Sequence, residues 1–548
     1  MASQGPMLAS SRVAPLIASF SFTSVGPDET IRDAAVSKSA INFLPRPEDR
    51  QLHHYSSQLR IHLQWRPAAR MPLLVFRNFV GCAIAAVIVN GCYYMGNIFS
   101  FKPSVEQSRS EFLMATMVWT AVLHALMMII AHLPFLTAQQ FVGLPDGTKP
   151  SLWFCTKKLV KGSRSYFAAS LVSMIVVALI VQHTSLMHEN FKYKLHFYLG
   201  NLCNLTFTTG ITIAVRKIYR EDTYQGRDRR KISGETSEPR NMEPQAVASP
   251  SRRPYLNNHY KPSFWREYVA KFPNALLIAW SGGFVHVVSW YRILDQETIV
   301  IMLLAAGGVI IKLALQEGAR QYVLKNRIRS VRTMCVLVGV PTVLIDTQSR
   351  IVLLGTQTNT FLVAGTFVMA VAEICLRAGK AAFIAWTIRC RAQALEQKLL
   401  DLSANSDRSG DGASSPTSLK LEFELWRRQV LSYHTAELTA DMYAEYIAIS
   451  CSQSIVFWLV GHPLYPALRQ EAGSGMYDIA TARWRFNQVA MLGFQFLVEI
   501  FVDYVCVVME MAAGIDFNRI ESLSAFLGVL FMMIAALNIN ISSALYLC

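Results

Sequence analysis

Charge is scarce in this sequence. Asp, Glu, Lys and Arg make up 16% of its 548 residues, where a soluble domain carries about 25%. The apolar residues gather instead into blocks of about 20, long enough to cross a bilayer. Cysteine motifs are lacking too. None of the ten cysteines belongs to a CxxC pair and most lie inside apolar blocks, which argues against a zinc module or a disulfide framework and for small apolar packers. No Walker loop, HExxH, GxSxG or kinase signature occurs, so soluble-type catalysis has no support and no cofactor or metal is implied. An enzyme reading is the least supported, with His286 beside an acid as its nearest candidate. Internal repeats and inverted halves are absent, which weakens a transporter reading based on repeats. The stretch 13–22, VAPLIASFSF, is a poor signal-peptide core without a small-residue cleavage site, although residues 1–27 have the Ser-rich, acid-free composition of a transit peptide.

What is present is a polytopic, all-α transmembrane helix bundle. Spans are expected at about 73–98, 112–135, 166–187, 195–215, 273–291, 297–316, 333–354, 360–388, 443–463, 488–512 and 522–546, about eleven within a range of roughly nine to twelve. The domain order is a disordered or interfacial region at 1–72, a four-span part at 73–216, a basic loop at 217–272, a second four-span part at 273–388, a loop at 389–442 and a three-span part at 443–548. Trp65, Arg60, Arg66 and Arg70 suit a membrane surface, and His53, His54 and His62 are read as surface histidines. Two stretches, 221–262 and 402–419, have the composition of disorder. Residues 420–442 form an expected amphipathic helix, with Leu421, Phe423, Leu425 and Trp426 as its apolar contacts.

The formal net charge is +15, but the basic residues lie between apolar blocks, and no nucleic-acid module is recognisable. Lys157, Lys161, Arg164, Arg216, Arg229, Lys231, Arg327 and Arg332 all fall on alternate connectors. That bias places the N-terminus in the cytoplasm, with these loops against anionic lipid head groups. The partners expected are the bilayer and those head groups, without nucleic acid; organelle and oligomeric state stay open. Cys390, between Arg389 and Arg391 just after a span, offers a palmitoylation site or a free juxtamembrane thiol.

The charges inside the spans carry the functional reading. In the tenth, Gln495, Glu499, Asp503 and Glu510 fall with Cys506 on one arc, roughly 80° wide at 100° per residue. A charged side chain at the centre of a span costs roughly 2.5–3.5 kcal/mol on the insertion scale. In the eighth, Glu373, Arg377 and Lys380 share a face. Both spans run in the same direction, so Arg377 is expected level with Glu499 and Asp503, and Lys380 near Asp503, as a compensated seam. In the seventh, Asp346 and Arg350 are placed to pair with each other, and Pro341 invites a kink. Glu437, Asp441 and Glu445 open the ninth span, where acids suit a helix dipole or form an acidic mouth to the seam. Among Asp346, Glu373, Glu499 and Asp503, set against Arg350, Arg377 and Lys380, one carboxylate is left over.

These features point to a proton- or cation-coupled transporter, with Glu499, Asp503, Glu510, Gln495, Glu373, Arg377, Lys380, Asp346 and Arg350 as pathway residues. The alternative is a non-transporting scaffold or receptor in which the seam is helix glue.

Overall fold

In the computed structural model the chain is helical almost throughout. The structure describes residues 65–97, 100–145, 148–184, 189–227, 263–290, 298–325, 328, 331–354, 359–405, 416–459, 462–465, 477–512, 515, 517 and 523–547. The readings of residues 1–64 and of most of 221–262 and 402–419 lie outside them. Eleven α-helices are described: α1 (Trp65–Met95), α2 (Arg109–Thr137), α3 (Leu152–His183), α4 (Glu189–Asp222), α5 (Phe264–Trp290), α6 (Thr298–Lys325), α7 (Val331–Leu354), α8 (Asn359–Asn405), α9 (Pro416–Leu459), α10 (Tyr477–Ala512) and α11 (Ser524–Leu545). Among the described residues the only strand-like pairing is one isolated antiparallel bridge, Phe141 to Thr223.

Six helices, α1, α2, α3, α7, α10 and α11, are long and apolar enough to cross a membrane. This is the architecture of a membrane protein. Each expected span falls on one described helix, while several helices reach well beyond the expected bounds. α1 starts at Trp65, inside the stretch expected to be interfacial, and its Ala68 and Met71 are buried.

The helices divide into two compact units. One holds Gly96–Ala279, hence α2, α3, α4 and most of α5. Met117 and Ala121 of α2 pack there against Met174 and Ala178 of α3. Polar groups are met locally. His124 shares a 2.8 Å hydrogen bond with Thr208, and His132 one of 2.7 Å with the Met128 carbonyl, so each histidine has its own partner. Lys271 donates to the Thr208 carbonyl and the Thr212 hydroxyl.

The other unit joins α1 to the chain from Trp280 onward. Its axis is α9. From Leu438 to Ile455 almost every residue of this helix is buried on every side, although Thr439, Asp441, Glu445, Ser452 and Gln453 are among them. A helix apolar on one stripe only would leave a face to solvent or lipid; one enclosed all round has to be surrounded by protein. The 420–442 segment and the ninth span are therefore one helix of 44 residues, about 66 Å long at 1.5 Å per residue. α8, with 47 residues, reaches about 70 Å. Both exceed a hydrocarbon core of about 30 Å. They run antiparallel: Arg391 of α8 lies over the Trp426 ring at 4.2 Å, and Lys380 bonds Glu437 further along. Leu421 and Leu425, expected to be apolar contacts, are exposed, because only one side of this extension faces α8. Cys390 is exposed on α8.

Close packing around α9 depends on a glycine. Phe531 of α11 stacks on Tyr443 of α9 at 4.7 Å, and a Cβ on Gly339 of α7 would lie 2.9 Å from the Phe531 ring. Tyr443 in turn accepts a hydrogen bond from Asn78 of α1 at 2.6 Å. Further along the same helices, Asn538 donates to Thr347, and Tyr93 donates to Asn540 at 3.0 Å. Gly339→Ala is expected to lower the thermal midpoint of the purified protein by overpacking, a cost of about 1–3 kcal/mol. Adding Phe531→Leu should recover part of the loss. An unchanged midpoint for the single variant would show that the α7–α11 contact is looser than described.

Candidate functional site

Five helices of the α9-centred unit, α6 to α10, contribute charged side chains to one interior cluster. The helical period explains each contribution. On α9, Glu437, Asp441 and Glu445 recur every four residues and so stand on one face, climbing about 6 Å per step. On α10, Gln495, Glu499, Asp503 and Glu510 keep to one stripe and all are buried. On α8, Glu373, Arg377 and Lys380 share a stripe, with Arg377 buried and the other two half-buried.

Arg377 is the hub. It is 4% exposed. Its Nη1 donates to Asp503 Oδ1 at 2.6 Å and to Glu373 Oε1 at 3.3 Å. Its Nε and Nη2 grip both oxygens of Glu510 at 3.0 and 3.2 Å. A planar guanidinium supplies this fork; an ammonium would not. The α8 and α10 stripes therefore meet at Arg377, with Asp503 and Glu510 as its partners.

Glu499 is answered from another helix. Arg350 of α7 lies 3.6 Å from it. The expected Arg350–Asp346 pair is replaced, because Asp346 bonds Lys312 of α6 at 2.8 Å. Lys312 also lies 3.7 Å from Glu445. Lys380 does not sit beside Asp503. It bonds Glu437 at 3.1 Å and the Gln316 side-chain oxygen at 2.7 Å, and Gln316 passes the interaction on by donating to Asp441 at 2.7 Å. Depth along α8 matched Lys380 to Asp503, but its direction around the helix turns it to α9.

The helix-dipole account of Glu437, Asp441 and Glu445 does not hold. Since α9 starts at Pro416, Glu437 lies about six turns into the helix, well beyond the reach of an N-terminal dipole. Instead the three acids line the inner face of the cluster. Lys312 and Gln316 escaped the sequence reading altogether. The available signal was a single lysine inside the run VIIKLALQ, an expensive position unless paired.

Charge does not balance here. Asp346, Glu373, Glu437, Asp441, Glu445, Glu499, Asp503 and Glu510 provide eight carboxylates, none with a side chain more than 17% exposed. Lys312, Arg350, Arg377 and Lys380 provide four bases. His434, fully buried, lies 3.7 Å from Glu437 and adds a fifth positive charge only when protonated. Among the described residues, three carboxylate oxygens in the middle of the cluster, Glu445 Oε2, Glu499 Oε1 and Asp503 Oδ2, have no hydrogen-bond partner within 3.5 Å, and neither does the Tyr446 hydroxyl. Buried acceptors of this kind are rare because each forgoes its solvation.

A scan against protein-family models finds no match, and neither the curated proteins nor the solved structures searched return one.

Removing the hub should leave Asp503, Glu510 and Glu373 as uncompensated buried charges. Arg377→Met is expected to cost about 3–5 kcal/mol of stability. Neutralising two partners as well, in Arg377→Met with Asp503→Asn and Glu510→Gln, should restore most of it. Equal midpoints for the wild type and Arg377→Met would show that the pairs contribute little.

Proposed function

We propose that this is a multi-pass membrane protein that moves a proton or a metal cation through the charged cluster between α6 and α10. The observation that supports this reading is the surplus of buried carboxylates over bases, together with the unpartnered oxygens on Glu445, Glu499 and Asp503. Acids without a base beside them are held neutral by protons or offset by cations, and acids inside a membrane protein that take up and release such charge are the usual elements of proton and cation pathways. In this reading Glu499 and Asp503 bind and release the cation, Arg350 and Arg377 set how tightly, and Glu437, Asp441 and Glu445 form the relay along α9. The basic connectors face the cytoplasm and anionic lipid, with the N-terminus on that side.

The scaffold alternative draws on Arg377, whose donors are spent on three carboxylates. Seen from that residue alone, the seam is complete.

The test is flux in proteoliposomes carrying an internal pH dye, with gradients of protons and of mono- and divalent cations imposed in turn. The wild type should give a saturable, protein-dependent flux. Glu499→Gln should abolish it while leaving the thermal midpoint close to that of the wild type. Flux that survives in Glu499→Gln with the same pH profile would remove Glu499 from the pathway, and no flux under any gradient would favour the scaffold.

A further inference from the structure

At the centre of the cluster, one oxygen each from Glu373, Glu445 and Asp503 lies within 4.8 Å of the other two. They come from three helices, α8, α9 and α10, so packing rather than local sequence brings them together. Other groups occupy part of each carboxylate. Arg377 takes Oε1 of Glu373 and Oδ1 of Asp503, and Lys312 lies 3.7 Å from Oε1 of Glu445. Among the described residues, Oδ2 of Asp503 and Oε2 of Glu445 have no hydrogen-bond partner within 3.5 Å.

A second observation comes from outside the acids. Tyr446, next in sequence to Glu445, is fully buried, and among the described residues its hydroxyl has no partner within 3.5 Å, although it interacts more loosely with the Asp503 carboxylate. Glu499 and Glu445 are its other charged neighbours. A buried phenol normally finds a partner. This one stands beside Asp503 and Glu445, two of the three acids, and could serve as a fourth ligand.

We propose that Glu373, Glu445 and Asp503, completed by the Tyr446 hydroxyl, form a binding site for a hard divalent cation of the Ca2+ or Mn2+ type. Oxygen-only ligands select hard cations over zinc or copper. Hydration discriminates further. Mg2+ gives up its waters reluctantly and is seldom held by protein oxygens alone, whereas Ca2+ accepts a flexible set of carboxylate ligands. Charge agrees: Arg377 is shared with Glu510 and Lys312 with Asp346, so the three carboxylates are left short of positive charge that a divalent ion offsets. The site deepens the reading above by naming the species held, and it rests on that reading's claim that water reaches the cluster.

The experiment is Mn2+ binding to the purified full-length protein in nanodiscs, followed by electron paramagnetic resonance with Ca2+ and Mg2+ as competitors. The expected result is one saturable Mn2+ per chain, displaced by Ca2+ at lower concentration than by Mg2+. Glu445→Gln and Glu373→Gln should each weaken it by more than about tenfold, since even second-shell changes cost that much. Glu422→Gln, at an exposed position outside the cluster, should bind like the wild type. If Glu445→Gln does not fold, as judged by its thermal midpoint without metal, the less buried Glu373 decides the matter. No saturable Mn2+ on the wild type, or unchanged affinity in Glu373→Gln, overturns the site. No saturable Mn2+ together with a proton flux that Glu499→Gln abolishes would leave the broader reading standing while this one fails.

Discussion

An ionised group away from water needs an opposite charge beside it, and this constraint organises the α9-centred unit. In a low-dielectric interior an unpaired carboxylate is worth several kcal/mol of destabilisation. Arg377 discharges that obligation for Asp503, Glu510 and Glu373 at once, and so ties α8 to α10. Arg350 ties α7 to α10, Lys312 ties α6 to α7 and α9, and Lys380 ties α8 to α9. The helices are joined by a net of ion pairs as well as by apolar packing.

The same net explains why α9 can carry so many polar residues. Lipid would not tolerate Glu437, Asp441 and Glu445 on one face, but a surround of protein does. Phe531, Tyr443 and Asn78 close its other side through stacking and hydrogen bonds. The outcome is a polar axis among more apolar helices of the same unit, of which α1, α7, α10 and α11 have the length and composition to cross a membrane. Among the described residues, only the acids in excess of bases still lack an answer.

Much of this was legible in the sequence, for identifiable reasons. The apolar blocks located the helices because burial in a bilayer demands length and composition together. The stripes on α8 and α10 were legible because the helical period converts spacing into direction, and these two stripes do meet at Arg377. Choice of partner was not legible. Lys380 and Asp503 match in depth but not in azimuth, and Asp346 bonds Lys312 of α6 rather than Arg350 of its own helix. Hydropathy also split α9 at residue 442. It measures affinity for lipid, and this helix is enclosed by protein. The packing of α1 against α9 and α11 joins residues several hundred positions apart, as Asn78 and Tyr443 do, and no local pattern encodes it.

The central claim is that the surplus carboxyl groups are neutralised by charge that arrives from water. Infrared spectroscopy of the reconstituted protein reads this directly, because a protonated carboxyl has its own carbonyl band and that band shifts in D2O when solvent reaches it. The account predicts protonated-carboxyl absorption near neutral pH that shifts on exchange into D2O, falls as the pH rises or a bound cation displaces the proton, and loses a component in Glu499→Gln. A spectrum without such a band in the absence of metal cations, or with one that neither exchanges nor responds to pH and cations, would contradict it.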